Sequence, residues 1–460
     1  MAITEASERL ATSEETRPSL IRAVGVWALA ASIFNITVGG GIFLLPAFAS
    51  RLIGAAAPIV YIVCAAAMGL IVMCFAEAGS RVSRTGGPYA YVEVVFGPFA
   101  GFLAGIMLWL AGTMATAFVA TVLAANIGAA IPALGGAGGR SVLLIVLVAG
   151  LTWVNVRGVR QGTRLVTVTS IGKLLPLFIL IVLGIPAVRA TNLAIHELPS
   201  LASVSRASIV LIFAFMGIES ALVPSGEVRT PSRTVPRAIA IAMTGVALLY
   251  LAVQLVAQGI LGPALADPVN AATPLAAAAG VALGGWGRRL LIAGAAVSMF
   301  GNVSGMTLAM PRLLFAFAED RILPRQLASI HPRYRTPWIA IVVQAVIVCI
   351  FAISSGYERL AVIANLAALL LYLGCVVAAW ELRRRDVRSA EGKTPLRLPL
   401  GPLVHLLAAA SIVFMLSSIK RIEWTMVAIV LAVAALLFLI SRLAGGRQRH
   451  RLVAGEERAS

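Results

Sequence analysis

The sequence predicts an all-α integral membrane protein of twelve transmembrane helices, and three observations carry that prediction. The first is composition: of 460 residues, 60% are hydrophobic and 12% are charged, with a mean hydropathy of +0.96. Soluble domains carry roughly 25% charged residues, so this chain has too little charge to solvate a water-facing surface. Disorder needs the opposite composition. The second is a series of twelve apolar runs, each near or above the ~20 residues that a helix needs to cross hydrocarbon. The third is the placement of the basic residues. With the N-terminus in the cytoplasm, 27 of the 37 Lys and Arg fall on inner segments and nine on outer ones, with Lys173 left inside a span. That bias sets both termini on the cytoplasmic side of a cell (inner) membrane.

The net charge of +18 is therefore a topology signal. It forms no basic helix or aromatic-interleaved patch of the kind that binds nucleic acid. Residues 1–20 read as a polar cytoplasmic tail without the apolar core of a signal peptide. The spans follow in 22–49, 56–80, 96–127, 140–157, 162–187, 204–227, 236–262, 284–318, 336–354, 357–383, 400–419 and 424–443, and residues 444–460 form a second cytoplasmic tail. Several runs exceed one straight crossing, so tilt or interruption is expected.

Two spans carry breaks at matching places. Span 1 reads SIFNITVGGGIFLLPA, with Gly39, Gly40 and Gly41 in its middle and Pro46 after; span 6 reads IVLIFAFMGIESALVPSGEV, with Gly217 in its middle and Pro224 after. Gly40 and Gly217 lie 177 residues apart, about the length of five spans. That spacing predicts two inverted five-span repeats, 21–187 and 204–383, whose first helices are discontinuous. The last two spans, 400–443, then stand outside a ten-helix core. The plainer alternative is that the glycines let helices pack closely.

An unwound helix in hydrocarbon leaves N–H and C=O groups that are tolerated where they line a cavity. Amides at a half-helix N-terminus suit a carboxylate, and carbonyls at the opposite half suit an ammonium. Gly39, Gly40 and Gly41 are thus the predicted carboxylate donors, with carbonyls near Thr37, Phe213, Ala214 and Met216, beside Gly217, as the amine acceptors. The pattern fits a zwitterion without any charged side chain.

Four stretches carry a resemblance that covers most of the chain: GGGIFLLPA (39–47), AEAGSRVSRTGGPYAYVEVVFGPFAGFLAG (76–105), FAFMGIESALVPSGEVRTPSRTVPRAI (213–239) and RLLFAFAEDRILP (312–324). In these motifs and their order the chain resembles the amino acid–polyamine–organocation permeases. The resemblance implies a leucine-transporter-type fold of ten core helices plus two, a central substrate site at the broken helices, and alternating access. Two departures stand out: Gly226-Glu227 where the family often has Glu-Glu, and Asp320-Arg321 where it often has Asp-Gly.

Lys173 lies in TSIGKLLPLFIL, about nine residues beyond Arg164 and so roughly 13 Å deep at 1.5 Å per residue. An ammonium at that depth is costly and marks a functional site by default. In proton-coupled relatives a lysine at this place stands where sodium-coupled cousins hold their ion, which implies a coupling role; a fixed structural cation is the alternative. Glu219, directly after the span 6 break, is either a proton-relay carboxyl or a helix-holding hydrogen-bond acceptor.

Trp109 and Thr113 in span 3, Ser298, Asn302 and Met306 in span 8, and Tyr372 in span 10 are pocket or gate candidates, with helix packing as the alternative for each. Glu77, Arg81 and Arg84 at the inner end of span 2, with Arg229, Arg233 and Arg237 after span 6, are read as solvated loop charges that serve topology, ahead of a gate of ion pairs. The four cysteines lie in apolar runs and read as small buried hydrophobes. The four histidines show no ligand spacing, so no metal and no cofactor is expected. The expected partners are an amino acid or amine, protons and the lipid bilayer. Substrate transport driven by protons leads, with obligate amino acid/amine exchange as the alternative. An intramembrane enzyme would need a denser set of ionisable groups in the spans, and a channel a continuous polar stripe.

Overall fold

The computed structural model describes residues 25–82, 88–157, 162–218, 231–387, 395–398 and 400–456, and every regular element among them is helical. The chain opens with α1 (Val26–Thr37), α2 (Leu45–Ile53) and α3 (Ala57–Arg81). Next come α4 (Pro88–Phe96), α5 (Pro98–Ala130), α6 (Ala137–Arg157) and α7 (Gly162–Gly184). The second half contains α8 (Leu201–Leu211), α9 (Pro231–Leu261), α10 (Pro274–Glu319), α11 (Trp338–Ser354) and α12 (Tyr357–Arg384). It closes with α13 (Gly401–Leu416) and α14 (Arg421–Glu456). Among the described residues, seven helical stretches are long and apolar enough to cross a membrane, and α1, α8, α11 and α13 are among the shorter apolar helices.

Exposed apolar side chains such as Val146, Leu183, Leu248, Val346 and Leu439 face outward from these helices, as lipid contact requires. The interior centres on α5, whose long helix packs against α10 and α12. Glycines set the closest approach: a Cβ at Gly105 would lie 2.8 Å from the Phe317 ring, and α10 could not sit as near. On the other side of the core, α9 packs along α3 and α1.

Two elements differ from the sequence prediction. Residues 88–96, nearly all of them left between spans 2 and 3, form a helix, separated from α5 by Gly97 at φ +85°. Pro88 and Pro98 each open their helix, where a missing N–H costs nothing. The helix of span 8 starts at Pro274 and kinks at Gly284 (φ +73°), a conformation that suits a residue without Cβ.

The reading of Glu77 and Arg81 as solvated charges is overturned. Both are fully buried; Arg81 Nη2 meets Glu77 Oε1 at 3.3 Å, and Arg383 Nη1 of α12 meets Glu77 Oε2 at 3.3 Å. Arg81 also donates to the Val387 carbonyl (3.2 Å), Arg383 to the Leu398 carbonyl (3.2 Å), and the Leu396 amide to Ser80 Oγ (3.0 Å). The short segment 395–398 closes over the end of α3, and two guanidiniums share one buried carboxylate. Arg233 and Arg237 are exposed, while Arg84 and Arg229 lie outside the described residues.

Candidate substrate site

Helix α1 ends where its glycines begin. Each glycine disfavours helix by ~1 kcal/mol relative to alanine. The last helical bond runs from the Val38 amide to the Phe34 carbonyl (2.9 Å), and the Gly39 amide then turns to the Thr37 carbonyl (2.8 Å). One 3₁₀ turn, Gly41–Phe43, follows before α2 starts with Pro46 in its first turn. Among the described residues the Gly40 and Gly41 amides meet no acceptor, whereas the Gly39 amide is already engaged. Of the three predicted carboxylate donors, two amides are available.

The second break lies opposite. Helix α8 passes at Leu211 into a 3₁₀ turn, Ile212–Phe215, after which Met216 is extended and Gly217 takes φ +111°. A Cβ at Gly217 would lie 3.0 Å from Ile36 Cγ2 and 3.3 Å from the Ile36 carbonyl, so glycine is demanded by both conformation and space. The breaks also touch at Gly41, whose Cβ position is 3.1 Å from the Phe213 ring. Close packing and unwinding occur together at these glycines.

Two side chains tie the breaks to the rest of the bundle. Tyr250 of α9, fully buried, points its hydroxyl at the Ala214 carbonyl (2.8 Å) and the Thr37 carbonyl (3.0 Å). One proton serves both, and the Thr37 carbonyl uses its second lone pair for the Gly39 amide. Lys173 of α7, buried at 7% exposure, donates from Nζ to the carbonyl of Asn35 in α1.

Between the breaks lies a cavity with about 560 Å³ of atom-free space, part of it open at the mouth. Thr37, Gly39, Gly40, Gly41, Phe213, Ala214, Met216, Gly217, Asn302 and Met306, all singled out from the sequence, line it together. Leu108, Ala111, Gly112 and Ala115 of α5 and Met310 of α10 complete the wall with Ile36. Thr37 Oγ1 is buried there with no hydrogen-bond partner among the described residues.

Other predicted residues sit elsewhere. Trp109 turns its indole N–H to Gln344 Oε1 (2.8 Å), and Gln344 Nε2 donates to Thr113 Oγ1 (3.0 Å), which pins α5 to α11 behind the cavity wall. Tyr372 is fully buried against Phe75, with ring centroids 5.3 Å apart, and does not line the cavity. Ser298 is likewise buried off the cavity. Glu219 lies outside the described residues.

A family profile described as amino acid permease matches residues 24–443. The chain belongs to the amino acid permease family, within the APC superfamily. The permease is 31% identical over 352 residues to the serine/threonine exchanger SteT of Bacillus subtilis, covering 75% of this chain and 78% of that one. It is 28% identical over 457 residues to the methylthioribose transporter of the same organism, covering 94% and 96%. It is 29% identical over 358 residues to the Asc-type amino acid transporter 1 of Mus musculus, covering 74% and 64%. Family and apolar helices together make the permease a multi-pass membrane protein.

Sequence reasoning missed Tyr250. The signal was present: Tyr250, Gln254 and Gln258 recur every four residues, a polar stripe on one face of an otherwise apolar span. A tyrosine hydroxyl in such a place needs a partner, and a broken helix supplies unpaired carbonyls.

Proposed function

We propose that the permease is a secondary active transporter that moves neutral or hydrophobic amino acids by alternating access, coupled to protons through Lys173. The observation that carries this reading is the meeting of two helix breaks at one cavity, with the Gly40 and Gly41 amides and the Thr37 hydroxyl unengaged. The amides and the hydroxyl bind the carboxylate; the carbonyls near Thr37, Phe213, Ala214 and Met216 receive the ammonium. Asn302 and Met306 contact the substrate, and Gly39 and Gly217 hold the backbone shape. Glu219 serves as relay or structural acceptor.

In this reading twelve helices cross an inner cell membrane as two inverted five-helix repeats plus two, with both termini cytoplasmic. Lys173, by its hold on Asn35, links a titratable group to the moving break of α1. Protonation there then biases the equilibrium between inward and outward states.

Purified protein reconstituted in liposomes tests the proposal. An inward acid gradient is expected to drive accumulation of a neutral amino acid above equilibrium, and ligand screening by thermal shift to stabilise the folded state. No stabilisation by any amino acid, with stabilisation by methylthioribose, would overturn it. Exchange is the second reading, favoured by the similarity to the serine/threonine exchanger SteT; counterflow without accumulation under the gradient identifies it.

A further inference from the structure

Resting on the reading of this cavity as an amino acid site, we infer that Met310, seated over Gly112, sets the upper size of the substrate side chain, which restricts the class to small and medium neutral α-amino acids. The cavity is polar at one end and apolar at the other. A Cβ at Gly39 would lie 2.9 Å from Asn302 Nδ2, and one at Gly40 2.8 Å from Met299 Cγ, so the break of α1 rests against Met299 and Asn302 of α10. Thr37 Oγ1, buried and without a partner among the described residues, belongs to the same end. Met310 lies eight residues further along α10, about 12 Å at 1.5 Å per residue.

At that far end the walls are Leu108, Ala111, Gly112, Met306 and Met310, and no charged side chain lines the cavity among the described residues. A substrate held by its carboxylate and ammonium at the breaks points its side chain this way. A charge on that side chain would be buried without a partner, which is strongly disfavoured.

The stop itself is a notch. A Cβ at Gly112 would fall 2.1 Å from Met310 Sδ and 2.9 Å from Cε, so the thioether occupies the space that any other residue at 112 would need. Met310 is buried at 4% exposure, and its open side is the cavity. Met310→Ala removes three heavy atoms from the far wall. Gly112→Ala drives the thioether toward the substrate.

The test is uptake of labelled L-alanine and L-phenylalanine by the full-length chain in liposomes, with unlabelled competitors. Wild type is expected to prefer alanine, with lysine, arginine and glutamate failing to compete. Met310→Ala is expected to shift the alanine-to-phenylalanine ratio of kcat/KM toward phenylalanine by about tenfold or more, since one methylene changes discrimination by roughly 10–200-fold. Gly112→Ala is expected to shift it the other way, and it decides the matter if Met310→Ala does not fold. Unchanged ratios in variants that still transport alanine overturn the size stop alone, as does a wild type that takes both amino acids equally. A wild type that takes up no amino acid overturns the underlying reading and this inference with it.

Discussion

Lys173 Nζ donates to the main-chain carbonyl of Asn35, two residues before α1 stops. The Gly39 amide, four residues beyond Asn35, has turned to the Thr37 carbonyl instead. A cation from α7 therefore grips the last helical turn before the break. Lys173→Ala is expected to lower gradient-driven accumulation at least about tenfold, the equivalent of one lost charge-assisted hydrogen bond, while counterflow persists. Undiminished accumulation by the variant would rule out coupling through this residue.

Tyr250 joins the two breaks through the Thr37 and Ala214 carbonyls. Tyr250→Phe keeps the ring and its edge contact with Phe215 but removes the donor. Leaving buried carbonyls without it is expected to cost about 1–3 kcal/mol, read as a lower melting temperature, together with a weaker thermal shift on adding substrate. A loss of stability with an unaltered ligand shift would make Tyr250 a brace with no part in binding.

Gly217 holds φ +111° with Ile36 against its Cα. Gly217→Ala is expected to destabilise by about 1–3 kcal/mol, the range for strained backbone. Transport should fall with it, because the displaced strand carries Met216 and the Ala214 carbonyl. A variant with wild-type melting and transport would show that this bend is dispensable.

Glu77 is shared by Arg81 and Arg383 in a buried cluster. Glu77→Leu is expected to cost about 3–5 kcal/mol, the penalty for stranding a buried charge. A double-mutant cycle with Arg383→Met measures the coupling, and additive effects would show that the pair contributes little.

Trp109 donates to Gln344 behind the cavity wall. Trp109→Phe is expected to lower stability by about 1 kcal/mol with substrate preference unchanged. A changed preference in competition assays would return Trp109 to the pocket.

The breaks were legible because the helix penalty of glycine is local, ~1 kcal/mol each: lone glycines such as Gly105 and Gly112 stay helical in α5, whereas three in a row at Gly39–Gly41, matched by Gly217 with a proline after each, mark an interruption. Lys173 was legible for the same reason, as an ammonium in hydrocarbon needs a partner whatever the fold. What stayed hidden depends on neighbours far apart in sequence. Glu77 and Arg383 are 306 positions apart, and each looks like an ordinary charge at the end of an apolar run. Tyr250 announces a need for an acceptor but not which carbonyl it finds. Trp109 and Tyr372 have the composition of pocket residues; the rotation of α5 and α12 about their axes, which no local pattern specifies, turns them away.

The trailing pair α13 and α14 is stitched to the bundle at both extremities. At one, Ser205 of α8 donates to the Phe414 carbonyl (2.7 Å) and Arg206 faces Glu423 (3.9 Å). At the other, the linker into α13 delivers the Leu398 carbonyl to Arg383 and the Leu396 amide to Ser80. Ending the chain after α12 would thus do more than trim an appendix: it would unlace a seam on each side and leave Arg383 and Ser80 reaching for groups that no longer exist.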